Sequence, residues 1–99
     1  MNTQPIVIFG AGGFGREVLQ LIYDINQQES SAPIWNPLGF IVDAQYVDTR
    51  LVNGLPIVGS PAWLEDHPEV KVVLAVGSSA VRRRTVNQWK GVSSNRYAT

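Results

Sequence analysis

The chain has 99 residues, 44% of them hydrophobic, with eight basic and eight acidic side chains and a formal net charge of zero. That length fits one small domain, that apolar content excludes disorder as the default, and that charge balance argues against a general nucleic-acid or membrane-surface binder. Cysteine is absent, which excludes a disulfide framework and a thiolate metal site and is compatible with a reducing cytoplasm.

The amino terminus does not read as a signal peptide. Met1 to Pro5 carries no positive charge, and the apolar run Ile6 to Phe9 is short and meets glycine at once. No apolar stretch approaches the ~20 residues that span a bilayer. Pro5-Ile6-Val7-Ile8-Phe9 instead predicts a strand buried on both faces, as in a parallel sheet. From Phe14 the period changes. Phe14, Val18, Leu21, Ile22 and Ile25 fall at helical spacing and predict the buried face of an amphipathic helix. Arg16, Glu17, Gln20, Asp24 and Gln27 take the solvent side.

Gln28 to Asn36 is polar, carries Pro33 and reads as loop. Pro37 to Val42 predicts a second strand that ends at Asp43. Residues 44–56 are mixed, with a strong turn signal at Asn53-Gly54. Pro56-Ile57-Val58-Gly59 is at most a short extended piece. Ser60-Pro61 predicts a short helix with a serine cap and proline at the first position, closed by His67-Pro68. His67 is the only histidine and is expected at the frayed helix end, in a solvated surface role, because metal sites need clustered ligands. Val70 to Val76 predicts a third strand, which ends at Gly77. Ser78 or Ser79 then caps a helix holding Val81, Val86 and Trp89, stopped by Gly91. Arg82-Arg83-Arg84 point ~100° apart on that helix and make a solvated face, not one patch. Trp35, Trp63 and Trp89 are expected to pack or to anchor a partner.

Strands alternating with helices give an α/β fold: a small Rossmann-like domain with a narrow parallel sheet flanked by helices, spanning residues 1–99. The chain stops where another strand could start, so we read it as part of a longer protein.

Gly10-Ala11-Gly12-Gly13-Phe14-Gly15 matches G-x-G-x-x-G between a buried strand and a helix, which is the context the pattern needs. The first glycine permits the tight turn, the second lets backbone approach a phosphate, and the third lets the helix pack closely on the strand. The helix amino end favours an anion there. A merely structural turn would be served by one glycine, whereas four within six residues carry a large entropy cost. Asp43 is the candidate acid for a ribose or base. It lies 28 residues past Gly15, where the pattern expects ~20, and the polar insert accounts for the excess. A solvated loop aspartate is the competing reading. Gly77 and Ser78 lie at the carboxyl end of the third strand, where open α/β sheets bind ligands; plain helix capping by Ser78 is the alternative. No nucleophile–base pair, paired carboxylates or metal cluster stands out, so catalytic and metal residues are expected to be absent from this segment.

These blocks resemble the N-terminal domain of the sugar O- and N-acyltransferases that include the sialic acid O-acetyltransferase and the bacillosamine-pathway acetyltransferase. The resemblance rests on Ile8 to Val18, Gly39 to Asp43, Gly54 to Gly59, and Leu74 to Ser79 with Arg82. It covers nearly the whole chain, with the blocks in the family's order and spacing. It implies a domain that holds a nucleotide-sugar or sugar substrate. Gly12, Gly13 and Phe14 would face the diphosphate, Asp43 the nucleoside, and Gly77 with Ser78 the crevice. It also implies a following left-handed β-helix that forms a homotrimer, binds acetyl-CoA and supplies the catalytic histidine. No cofactor is then expected in this segment, and the setting is cytoplasmic synthesis of a surface glycan or polysaccharide. His67 lies outside the matching pattern and inherits no role. The chain departs from the family in having Val42 where members often carry a first acid, Phe14 where some have histidine, and Ser78-Ser79 where some have asparagines. Those departures bear on which ligand is held, not on the fold. Two other classes fit the same residues: the NAD-binding part of an oxidoreductase or epimerase, and a non-enzymatic nucleotide-sensing module.

Overall fold

The computed structural model describes residues 3–28 and 35–75. Five strands form one sheet: β1 (Gln4–Phe9), β2 (Trp35–Ile41), β3 (Leu51–Val52), β4 (Leu55–Gly59) and β5 (Lys71–Leu74). Their order is β3-β4-β2-β1-β5. β1 pairs in parallel with β2 and β5, and β2 with β4; β3 alone runs antiparallel, against β4. Counted without β3, the parallel strands stand third, second, first, fourth, which is the order of a Rossmann half-sheet. The three expected strands are contiguous at one end of it, β2-β1-β5. The Pro56–Gly59 piece is a full member as well, so the sheet is wider than three strands.

The apolar run of β1 divides between two faces because successive side chains alternate. Ile6 and Ile8 enter one core with Phe40, Val42 and Ile57, under helix α1 (Gly13–Gln28) through Leu19 and Ile22. Val7 and Phe9 enter the other with Ile41, Val72 and Leu74, capped by Leu64. Each fully buried aliphatic chain here contributes roughly 1.5–3 kcal/mol. The asparagine-glycine turn closes the β3–β4 hairpin, with positive φ at both Asn53 (50°) and Gly54 (87°), as a two-residue primed turn requires.

Four expectations need correction. The buried face of α1 is Gly15, Leu19 and Ile22; Phe14 is 50% and Leu21 56% exposed. The helix is turned from its expected phase so that Gly15, which packs against the Gly10 carbonyl and the Phe40 ring, faces inward. β2 starts at Trp35, not Pro37, because Asn26 holds Trp35 against α1: its Nδ2 donates to the Trp35 carbonyl at 2.8 Å and its Oδ1 accepts from the Trp35 amide at 3.0 Å. Pro37 is tolerated because the β1 register skips Leu38, a bulge, between Pro37 and Gly39. The segment Pro61–Asp66 is a 3₁₀ helix, and Ser60 makes no side-chain cap bond; its carbonyl accepts the Trp63 amide at 2.9 Å instead. His67 is not simply solvated. Its ring stacks on Trp63 at 3.7 Å, its Nδ1 lies 2.8 Å from the Trp63 carbonyl, and it is half-buried.

The helix expected after Ser78, the Arg82-Arg83-Arg84 run and Trp89 lie outside the described residues. No helix among the described residues is long and apolar enough to cross a membrane.

Candidate functional site

The carboxyl ends of the parallel strands finish level. Phe9 pairs with both Ile41 and Leu74, and Ile41 pairs with Gly59. The ladder runs one residue further: Gly10 donates to the Ile41 carbonyl at 2.9 Å, Ala75 to Phe9 at 2.9 Å and Val42 to Gly59 at 3.1 Å. The glycine loop and Asp43 therefore leave the sheet along one edge. At such an edge, where the order reverses around β1, open α/β sheets bind their ligands.

The four loop glycines divide into two kinds. Gly10 has φ +110°, and a Cβ there would lie 2.6 Å from the Ala75 carbonyl oxygen. A Cβ on Gly15 would overlap the Gly10 carbonyl and come 3.6 Å from the Phe40 ring. Both are required by the protein's own packing, so two structural glycines are needed where one was expected. Gly12 and Gly13 differ: among the described residues a Cβ on either meets no atom within 4 Å, and neither has positive φ. Both are exposed. Packing among the described residues gives no reason for glycine there.

Gly12 is the residue before α1, and its carbonyl accepts the first helical bond, from Arg16 at 3.0 Å. The helix thus supplies no acceptor for the amides of Gly12, Gly13, Phe14 and Gly15. No acid occupies its first turn, so nothing on the helix offsets the positive end of its dipole. This edge can receive an anion on backbone N–H groups with little steric obstruction.

Asp43 is exposed at the end of β2 and precedes a 3₁₀ turn, Ala44–Tyr46. Its carboxylate makes no cap bond, while its backbone carbonyl accepts the Tyr46 amide at 2.8 Å. The structure thus brings Gly10, Gly12, Gly13, Phe14, Gly15 and Asp43 to one edge. Gly77 and Ser78 lie outside the described residues. His67 lies between the two ends of the sheet: its ring stacks on Trp63, which packs against Gly59 at the end of β4, and two residues on the Glu69 carbonyl accepts from Gln4 Nε2 at 2.9 Å at the start of β1. Among the described residues no group of His, Asp or Glu could hold a metal ion. The sequence reading passed over Tyr46, for which an aromatic three residues beyond a strand-ending acid is the available signal.

A family model described as the PglD N-terminal domain matches residues 5–89. The chain belongs to that family. No curated protein matches it. Two solved structures of one protein share the fold of this PglD N-terminal domain. The acetyltransferase domain of PglB from Neisseria gonorrhoeae FA1090, in complex with acetyl coenzyme A, is 19% identical with a TM-score of 0.66, over 93% of this chain and 41% of that one. A second structure of the acetyltransferase domain of PglB from Neisseria gonorrhoeae FA1090 is also 19% identical, with a TM-score of 0.64, over 92% of this chain and 41% of that one. This chain therefore spans less than half the length of the structures it matches.

Proposed function

We propose that this chain is the substrate-binding domain of a sugar O- or N-acetyltransferase of surface glycan or polysaccharide synthesis, and that it holds a nucleotide-sugar by its diphosphate. The observation that carries the reading is that Gly12 and Gly13 are glycines that no contact among the described residues requires, at the open amino end of a helix. The absence of a side chain keeps the space over the amides clear for phosphate oxygens. Gly10 and Gly15 shape the turn, Phe14 contributes its amide, and Asp43 accepts from the nucleoside. Gly77 and Ser78 complete the crevice. The family supports the acetyltransferase context. Acetyl-CoA, bound by the Neisseria neighbour, belongs in this reading to a further domain, a left-handed β-helix that trimerises and works in the cytoplasm. Titration calorimetry with UDP, a UDP-amino-sugar, a CMP-sugar and NAD tests the assignment. Binding of NAD alone would favour the dehydrogenase reading, for which Asp43 at the end of β2 is equally well placed.

Replacing Asp43 by Asn should weaken UDP about tenfold or more and leave inorganic pyrophosphate within about twofold, because one charge-assisted hydrogen bond to the nucleoside is lost. Equal weakening of both ligands would assign Asp43 to the fold or the field.

The 99-residue chain by itself should turn over no acetyl-CoA with amino-sugars or sialic acid. Acyl transfer needs a base beside the nucleophile and donors for the oxyanion. His67, the one histidine, is engaged in packing: its ring stacks on Trp63 and its Nδ1 lies 2.8 Å from the Trp63 carbonyl. Turnover by the chain alone that His67→Ala removes would defeat the binding-only assignment.

A further inference from the structure

The aromatic residues sort by place. Phe9, Tyr23, Trp35, Phe40 and Trp63 all belong to, or pack against, one of the two cores. Among the described residues, only Phe14 and Tyr46 belong to neither, and they are 50% and 60% exposed. Both lie at the carboxyl edge, Phe14 in the glycine loop and Tyr46 one turn beyond Asp43. Two exposed aromatics at one edge, with every other described one packed inward, is not the pattern that burial alone produces.

The backbone at Tyr46 is also held in place. Its amide donates to the Asp43 carbonyl at 2.8 Å, and the next amide, Val47, donates to the Ala44 carbonyl at 3.3 Å. The turn fixes the point from which the ring projects, three residues past Asp43, and leaves the ring itself exposed. A ligand whose phosphates lie on the Gly12–Phe14 amides and whose ribose reaches Asp43 has its base as the next group along. A large flat surface with a polar tip, fixed one turn past the ribose acceptor, suits a planar heterocycle.

We infer that Tyr46 is the platform on which the nucleobase of the bound nucleotide stacks, and so a specificity-determining residue of this site. The inference rests on the nucleotide-sugar reading above. Stacking accepts any base by its face, so Tyr46 separates nucleotides from bare phosphates and sugars more than one base from another.

The test uses UDP and inorganic pyrophosphate as probes, with calorimetry and proton NMR. Tyr46→Ala should weaken UDP about tenfold or more and leave pyrophosphate within about twofold. Tyr46→Phe keeps the ring and should retain UDP affinity within about twofold. In the unmutated chain the uracil H5 and H6 signals should move upfield on binding, and Tyr46→Ala should abolish that shift. Leu21→Ala, which trims an exposed side chain on α1, serves as the control for general surface change. Unchanged UDP affinity in Tyr46→Ala overturns the inference, as does equal loss of both probes, which would make the residue a support of the turn. Failure of the unmutated chain to bind UDP defeats the nucleotide-sugar reading itself, and the two failures are told apart before any variant is made.

Discussion

Gly12→Val should abolish nucleotide binding and leave the domain folded. Among the described residues a Cβ at Gly12 meets no atom within 4 Å, so a side chain there starts in open space. The branches of valine fill the space in front of the first-turn amides. Two charge-assisted hydrogen bonds lost or lengthened correspond to about a hundredfold or more in affinity. The stability cost is confined to the helix start, where valine is a poorer cap than glycine by roughly 1 kcal/mol. Calorimetry with UDP reads the first effect and urea unfolding the second. Undiminished affinity in a folded Gly12→Val protein would make the loop a structural turn and remove the basis of the proposed function.

Gly15→Ala should do the reverse. Ordinarily glycine to alanine inside a helix gains roughly 0.5–1 kcal/mol from backbone entropy. Here the new methyl would overlap the Gly10 carbonyl, which is backbone and cannot swing aside. Gly10 is itself pinned, with its amide on Ile41 at 2.9 Å and a φ of +110°. Relief requires α1 to lift from the sheet, which opens the contacts of Leu19 and Ile22 with Ile8 and Phe40. Such overpacking costs about 1–3 kcal/mol and occasionally more, against a total stability of roughly 5–15 kcal/mol. The urea midpoint should fall accordingly, with the slope unchanged. Gly13→Ala, two residues earlier in open space, should leave the midpoint unchanged or raise it. A Gly15→Ala midpoint equal to that of Gly13→Ala would mean that the helix does not rest on the loop carbonyl.

These two substitutions differ by three positions in one short loop, and the G-x-G-x-x-G pattern already gives them different roles, phosphate approach at Gly12 and close helix packing at Gly15. The structure supplies the atoms: the Gly10 carbonyl stands against Gly15, and among the described residues no atom stands within 4 Å of a Cβ on Gly12 or Gly13.

Other features were legible from local chemistry alone. A continuous apolar run ending in glycine defined β1, because burial on both faces leaves no polar position along the strand. Asn53-Gly54 defined the hairpin, since few other pairs accept two positive φ values. Asp43 was placed at the end of β2 by the halt of the apolar pattern. What local pattern could not supply was the phase of α1, the start of β2 at Trp35, the membership of β4 in the sheet and the stacking of His67 on Trp63. The helix period is a property of neighbours in sequence. Its phase follows from the packing of Gly15 against the Gly10 carbonyl and the Phe40 ring, and Trp35 becomes strand because a helix side chain nine residues earlier takes both its amide and its carbonyl. Sequence determined the central strands, the first helix and the glycine turn that joins them. Tertiary structure decided which way those segments face, because facing depends on contacts between residues that the chain brings together only when it folds.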